Sequence, residues 1–150
     1  MIANIEPIFE LHEIVSLLTE CGLPVADILQ SESAHFFGIR SESGLVAVVG
    51  LEQFGTVALL RSLAIISTHR GHGLARQLLA HIESVAATRG IASLFLLTTT
   101  AADFFIKLGF VSVSRPAAPP AIRATTQFSG LCPATSAFLH KTFAIPRDIK

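Results

Sequence analysis

Arg70-Gly71-His72-Gly73-Leu74-Ala75 stands between an apolar strand-like run, Val57 to Ile66, and a helix-like run, Leu74 to Arg89, that stops at Gly90. A tight strand–loop–helix connection of this kind constrains the fold more than any other part of the chain. The two glycines admit left-handed backbone angles that other residues resist. They turn the chain sharply and aim several N–H groups into one concavity. The first helical turn adds its own unpaired N–H groups and the positive end of the helix dipole. Such a concavity favours a phosphate or pyrophosphate. It is not a Walker A loop, which ends in Gly-Lys-Ser/Thr, and it lacks the third glycine of a dinucleotide fingerprint.

Periodicity lays out the remaining elements. Asn4 to Glu6 reads as a short edge strand. Pro7 opens a helix on which Phe9, Leu11, Ile14, Val15, Leu18 and Cys21 recur at helical spacing until Gly22 and Pro24 end it. A second short helix is expected over Val25 to Gln30. A hairpin pairs His35–Arg40 with Leu45–Leu51 through Ser41-Glu42-Ser43-Gly44, and a further turn lies at Gln53-Phe54-Gly55. The long helix carries Leu74, Leu78, Ile82 and Val85 on one face. Strand 93–98, helix 101–108 and strand 110–115 follow. Arg115 to Pro120 is a rigid bend; Ala121 to Ser129 reads as one or two helical turns and Ala137 to Phe143 as a last strand. This order gives an α/β fold built on one mixed sheet, in a single domain over residues 1–150.

Bulk properties exclude several function classes. Eleven basic and eleven acidic residues cancel, so no basic patch for nucleic acid is expected. Half the chain is hydrophobic (51%), yet no apolar run approaches the ~20 residues of a spanning helix. Met1-Ile2-Ala3-Asn4-Ile5-Glu6 has neither the basic nor the apolar region of a signal peptide, which points to a cytoplasmic protein. Cys21 and Cys132, and His12, His35, His69, His72, His81 and His140, lack metal-ligand spacing, so no metal is expected. High apolarity with little net charge points to apolar surface buried in a homodimer.

The loop at 70–75 resembles the Arg/Gln-x-x-Gly-x-Gly/Ala signature of the GNAT acetyltransferases. Ala101-Ala102-Asp103-Phe104-Phe105-Ile106-Lys107-Leu108-Gly109-Phe110 resembles that family's Ala-x-x-Phe-Tyr-x-Lys-x-Gly-Phe segment, and the matches keep their order and spacing over residues 57 to 113. The resemblance implies the GNAT fold: a mixed, mostly antiparallel sheet flanked by helices, with two splayed central parallel strands. It also implies acetyl-CoA as cosubstrate. Its pyrophosphate would lie on Arg70, Gly71, His72, Gly73, Leu74 and Ala75, and its pantetheine arm along Leu63, Ala64 and Ile65. Thr100, Asp103, Phe104 and Phe105 would complete the site.

Acetyl transfer to an amine needs a neutral amine, a polarised thioester carbonyl and a proton for the departing thiolate. The resemblance assigns the carbonyl to a backbone N–H near Ile65. Two departures stand out. The position of the family's tyrosine acid is Phe105, and the chain has no tyrosine. The position of a strand glutamate base is Leu59. The remaining bases are Glu52 and a water held by Thr98 or Thr99, with proximity and orientation carrying the rest. Arg61, a charge inside an apolar strand, needs an anionic partner, either Glu52 or an acidic group of the acceptor. Arg123 and Gln127, four apart on a predicted short helix, share a face suited to a carboxylate.

Leu59 to Ala64, Leu97 to Phe105 and Pro119 to Phe128 with Leu131-Cys132-Pro133 resemble the arsenic-resistance (ArsN-type) N-acetyltransferases. Leu97-Thr98-Thr99 is similar, more distantly, to the acetyltransferase domain of N-acetylglutamate synthase. Both imply N-acetylation of a small, amino-acid-like acceptor, and the first implies a role in arsenic or toxin resistance. The missing tyrosine and strand glutamate keep a second reading open, a GNAT fold that binds or senses acyl-CoA without turnover.

Overall fold

The computed structural model describes residues 3–23, 25, 28, 34–125, 128–129 and 136–143. Seven strands form a mixed sheet in the order β1-β2-β3-β4-β5-β7-β6. They are β1 Glu6–Ile8, β2 Ala34–Ser41, β3 Gly44–Phe54, β4 Val57–Ile65, β5 Ser93–Thr98, β6 Val111–Ser112 and β7 Ala137–Thr142. The α-helices are α1 Leu11–Glu20, α2 Leu74–Thr88, α3 Ala102–Lys107 and α4 Pro120–Arg123. The chain packs as two compact units. One takes Met1–Glu52 and Leu60–Val85, the other Gln53–Leu59 and Ala86–Lys150.

In the first unit, β1 lies antiparallel on β2 and β2 on β3. Ile8, Ile14, Leu17, Leu18, Phe36, Val48 and Ala64 are buried in one cluster, so the apolar stripe of α1 closes against strand residues. Gly38 marks a close approach: a Cβ there would stand 2.6 Å from the Ala47 carbonyl oxygen. The expected first helix starts later than its periodicity suggested. Pro7 lies inside β1, opposite Phe37, because an edge strand tolerates a residue without an N–H. Glu10 then caps α1 and its carbonyl accepts the first bonds, from Glu13 and Ile14. Most of the short helix expected over Val25 to Gln30 lies outside the described residues.

In the second unit, Val57–Leu59 of β4 runs parallel to Ser93–Phe95, while β5 and β6 both pair antiparallel with β7. Leu59, Phe95, Ala118, Ile122 and Phe138 form its buried cluster. The strand expected over 110–115 is confined to Val111–Ser112. Pro116 fixes a backbone angle that suits the 3-10 turn at Arg115–Ala117, and the strand cannot continue. α4 ends at Arg123, and beyond it the Ser129 N–H donates to the Thr125 carbonyl. Among the described residues, no helix is long and apolar enough to cross a membrane.

Candidate active site

β4 is not regular. Ser62 has φ 59°, a left-handed angle for a residue with a side chain, inside the strand that carries Leu63, Ala64 and Ile65. Such a residue costs roughly 1–2 kcal/mol, and strained backbone of this sort gathers at functional sites. Serine has no marked preference for this angle, so nothing in the sequence announces it. Next to it, the Arg61 Nε–H donates to Ser62 Oγ at 3.0 Å, and Arg61 Nη1 lies 3.8 Å from Glu52 Oε1. Both side chains are almost fully buried (0% and 8% exposed). Glu52 lies within β3, opposite Ala34 and just before the turn at Gly55.

The loop beyond β4 is built from short closures. Ile66 N–H donates to the Val46 carbonyl at 2.8 Å, and Ser67–His69 form a single 3-10 turn. Arg70 reaches back: its Nε–H donates to the Ile65 carbonyl at 2.8 Å, and the Cys21 thiol approaches the same oxygen at 3.6 Å. Gly71 and Gly73 take φ 82° and 79°, and a Cβ at either would meet nothing within 4 Å. Glycine is required here by backbone handedness, not by crowding. Gln77 N–H donates to the Gly73 carbonyl, so α2 starts directly from this turn. Arg70, Gly71, His72 and Gly73 are exposed, while Leu74 and Ala75 are half-buried at the start of the helix. The result is an open, positively polarised helix start fed by two left-handed glycines.

The other unit holds the residues after β5. Thr98 Oγ1 accepts the Ala101 N–H at 3.0 Å, which turns the chain through exposed Thr99 and Thr100 into α3. Asp103 is exposed in the first turn of α3. Phe104 meets Phe105 edge-on at 5.1 Å, and Phe105 meets Phe110 in the same way at 5.4 Å. Phe105 is therefore an interior ring. Arg123 is exposed at the end of α4, and Gln127 lies outside the described residues. Among the described residues, no cluster of three or more His, Cys, Asp or Glu side chains could hold a metal ion.

A set of groups that sequence reasoning passed over lies near the same end of β5. Arg115 Nη2 donates to the Ser136 carbonyl at 3.1 Å, and its guanidinium carbon stands 5.2 Å from the centre of the Phe128 ring. An arginine next to a Pro-rich bend carried no signal in the sequence, because its partners come from far along the chain.

Known proteins share this architecture. The N-acetylglutamate synthase of Neisseria gonorrhoeae, solved with coenzyme A and N-acetyl-glutamate, superposes with a TM-score of 0.78 at 23% identity, over 96% of this chain and 36% of that one. A PaiA N-acetyltransferase from Thermoplasma acidophilum, solved with coenzyme A, superposes with a TM-score of 0.69 at 14% identity, over 95% and 100% of the two chains. In sequence, the amino-acid acetyltransferase of Ectopseudomonas mendocina is 33% identical over 113 residues, 72% of this chain and 26% of its own. That of a Pseudomonas fluorescens strain is 32% identical over 124 residues, 79% and 29% respectively. The chain thus spans little more than a quarter of the length of these relatives. The family model described as an acetyltransferase (GNAT) domain matches residues 32–112, from β2 through the signature loop and α3 to β6. With the fold and that match in agreement, this chain belongs to the GNAT acetyltransferase domain family.

Proposed function

We propose that the protein transfers the acetyl group of acetyl-CoA to the amine of a small, amino-acid-like acceptor. The observation that carries this reading is the exposed Arg70–Gly73 turn, with both glycines left-handed at the start of α2. The donor set fits a pyrophosphate: backbone N–H groups and a helix N-terminus supply positive potential without a buried charge. Leu63, Ala64 and Ile65, beside the strained Ser62, would receive the pantetheine arm, and a backbone N–H near Ile65 would polarise the thioester. Thr100, Asp103, Phe104 and Phe105 are assigned to the same cosubstrate on family resemblance. The acceptor class is supported by the relatives, which are named amino-acid acetyltransferases.

In this reaction the amine nitrogen forms a bond to the acetyl carbon as the carbon–sulfur bond breaks. The nitrogen gives up its proton, and the departing thiolate takes one. Glu52 is engaged with Arg61 inside the first unit, so we assign proton removal to a water near Thr98 and Thr99. A thiol of pKa ~8.5 leaves tolerably without a dedicated acid, which accords with a chain that has no tyrosine. Thr99, Arg123 and Gln127 are assigned to the acceptor side, while Arg61 is taken as the internal partner of Glu52. We place the protein in the cytoplasm as a homodimer; mean hydropathy of +0.60 and exposed Phe9, Ile106 and Val111 support the second point. An arsenic-containing amino acid, as the arsenic-resistance resemblance implies, is one acceptor within the class.

The test is titration with acetyl-CoA, followed by mass spectrometry of products from a mixture of amino acids and arsenic-containing analogues. Binding together with an N-acetylated product is expected. Tight binding with no product from any amine would establish instead the acyl-CoA sensing module, which the absence of tyrosine and the buried Leu59 in place of a strand base favour. Failure to bind acetyl-CoA would sink both readings.

A further inference from the structure

α3 is too short to hold its own place. Its six residues, Ala102–Lys107, make fewer than two turns, and a helix of that length does not stand alone in water. Its seat on the sheet is set by ties to other elements. At the start, Thr98 Oγ1 in β5 accepts the Ala101 N–H at 3.0 Å. In the middle, the buried Phe105 ring meets Phe110 edge-on at 5.4 Å. At the end, Lys141 in β7 reaches across, and its Nζ donates to the Leu108 carbonyl at 2.7 Å. The same ammonium lies over the Phe110 and Phe143 rings, 5.9 Å from each centre. Gly109, at φ 103°, leaves room for it: a Cβ there would stand 3.1 Å from Lys141 Cε and 3.3 Å from Nζ. Lys141 stands opposite Leu94 in the β5–β7 ladder, so two neighbouring strands each hold one end of the helix.

We infer that Lys141 is a positioning residue for acetyl-CoA, fixing the tilt of α3 and with it the wall that Phe104 and Phe105 present to the cosubstrate. The inference rests on the proposed function, with α3 in the acetyl-CoA site. Capping alone does not call for this lysine. A carbonyl at a helix end is ordinarily met by water, and Lys107 already sets a cation in the last turn of α3. What Lys141 adds is orientation. It is half-buried, and its ammonium is gripped by a carbonyl and two aromatic faces, so the end of α3 has one place to sit. Without that grip the Leu108 end is free to swing about the Thr98 tie, carrying Phe104 and Phe105 with it. Displacements of about 1 Å in groups that position a ligand are enough to be felt.

The experiment uses the full chain at a temperature where circular dichroism shows every variant folded. It combines calorimetric titration with acetyl-CoA and steady-state release of the coenzyme A thiol with the best amino-acid acceptor. Lys141→Met keeps the aliphatic stem and removes the donor. It should weaken acetyl-CoA binding and raise the KM for acetyl-CoA roughly three- to thirtyfold, with kcat at saturation and the acceptor KM nearly unmoved. Lys141→Arg still offers N–H donors to the same carbonyl and should recover most of the loss. Lys107→Met removes one positive charge from an exposed position on the same helix and should bind acetyl-CoA as the parent does. Parent-like affinity in folded Lys141→Met, whatever its melting temperature, would make the lysine a packing residue and overturn the inference. Equal losses in Lys141→Met and Lys107→Met would assign the effect to overall charge and overturn it as well. So would a loss that Lys141→Arg does not reduce, because the inference requires a donor to the Leu108 carbonyl. A parent chain that fails to bind acetyl-CoA would overturn the proposed function, and this inference with it.

Discussion

Glu52 in β3 and Arg61 in β4 bring opposite charges to 3.8 Å from each other, with both side chains withdrawn from solvent. Removing one partner of such a pair leaves the other charge buried and typically costs about 3–5 kcal/mol. Arg61→Ala should therefore lower unfolding stability by that order in urea titration, and Glu52→Gln by less. Replacing both together, as Glu52→Gln with Arg61→Met, should recover much of the loss. If Arg61→Ala instead abolished acceptor binding at unchanged stability, the arginine would belong to the acceptor site.

Gly73 offers the sharpest test of the cosubstrate site. Gly73→Ala has room for its methyl group, so it should cost only the left-handed backbone penalty of about 1–2 kcal/mol. Gly73→Asp adds a negative charge where the pyrophosphate is assigned, and should weaken acetyl-CoA by well over an order of magnitude in calorimetric titration. Unchanged affinity in Gly73→Asp would remove the loop from the site.

Phe105→Tyr examines whether a missing phenol limits turnover. The ring is interior, set edge-on between Phe104 and Phe110, and the proposed route protonates the thiolate from solvent. The rate should stay within about tenfold of the parent, or ~1.4 kcal/mol of barrier. A larger gain would show that the acid was the absent element.

Gly38→Ala tests packing in the sheet. The added Cβ would stand 2.6 Å from a backbone oxygen, and backbone cannot yield as a flexible side chain does. Overpacking of this kind costs about 1–3 kcal/mol or more, which a thermal melt would show as a lowered midpoint. A parent-like melt would mean that β2 and β3 are free to separate.

Arg40 makes ion pairs with Glu6, Glu10 and Glu13 at 3.4, 2.6 and 2.6 Å, and the hydrogen bond to Glu13 leads the effects that raise its pKa. A raised base stabilises the fold wherever it is protonated, so this contribution persists across the neutral range and fades only at strongly alkaline pH. Arg40→Met should lower the melting temperature slightly in dilute buffer. The gap should close near 1 M salt, where screening acts over ~3 Å. A gap insensitive to salt would point to lost packing by the arginine stem.

The elements flanking the signature loop could be read from the chain because their signals are local. β4 shows a long apolar run, and α2 shows helical spacing closed by Gly90. Pro7 misled because proline suits both a helix start and an edge strand; only the pairing with Phe37 decides between them. Ser62 could not have been found, since its angle is imposed by surrounding structure. The Arg115–Ser136 contact was equally hidden, because it joins residues 21 apart through a bend. Of the candidate site, the glycine turn was legible, and the acceptor side was legible only in residue type.

The tie from Arg70 back to the Ile65 carbonyl has a mechanical consequence. Together with the Gln77–Gly73 bond that opens α2, it makes the connection a strap buckled at both ends, whose circumference is fixed by two hydrogen bonds. Side chains other than Arg70, and away from the two left-handed glycines, can change without altering its path. One inserted residue would force a buckle open and let the helix start drift from the end of β4. Apart from Arg70 and the two left-handed glycines, this segment should therefore tolerate substitution across related sequences while holding its length constant.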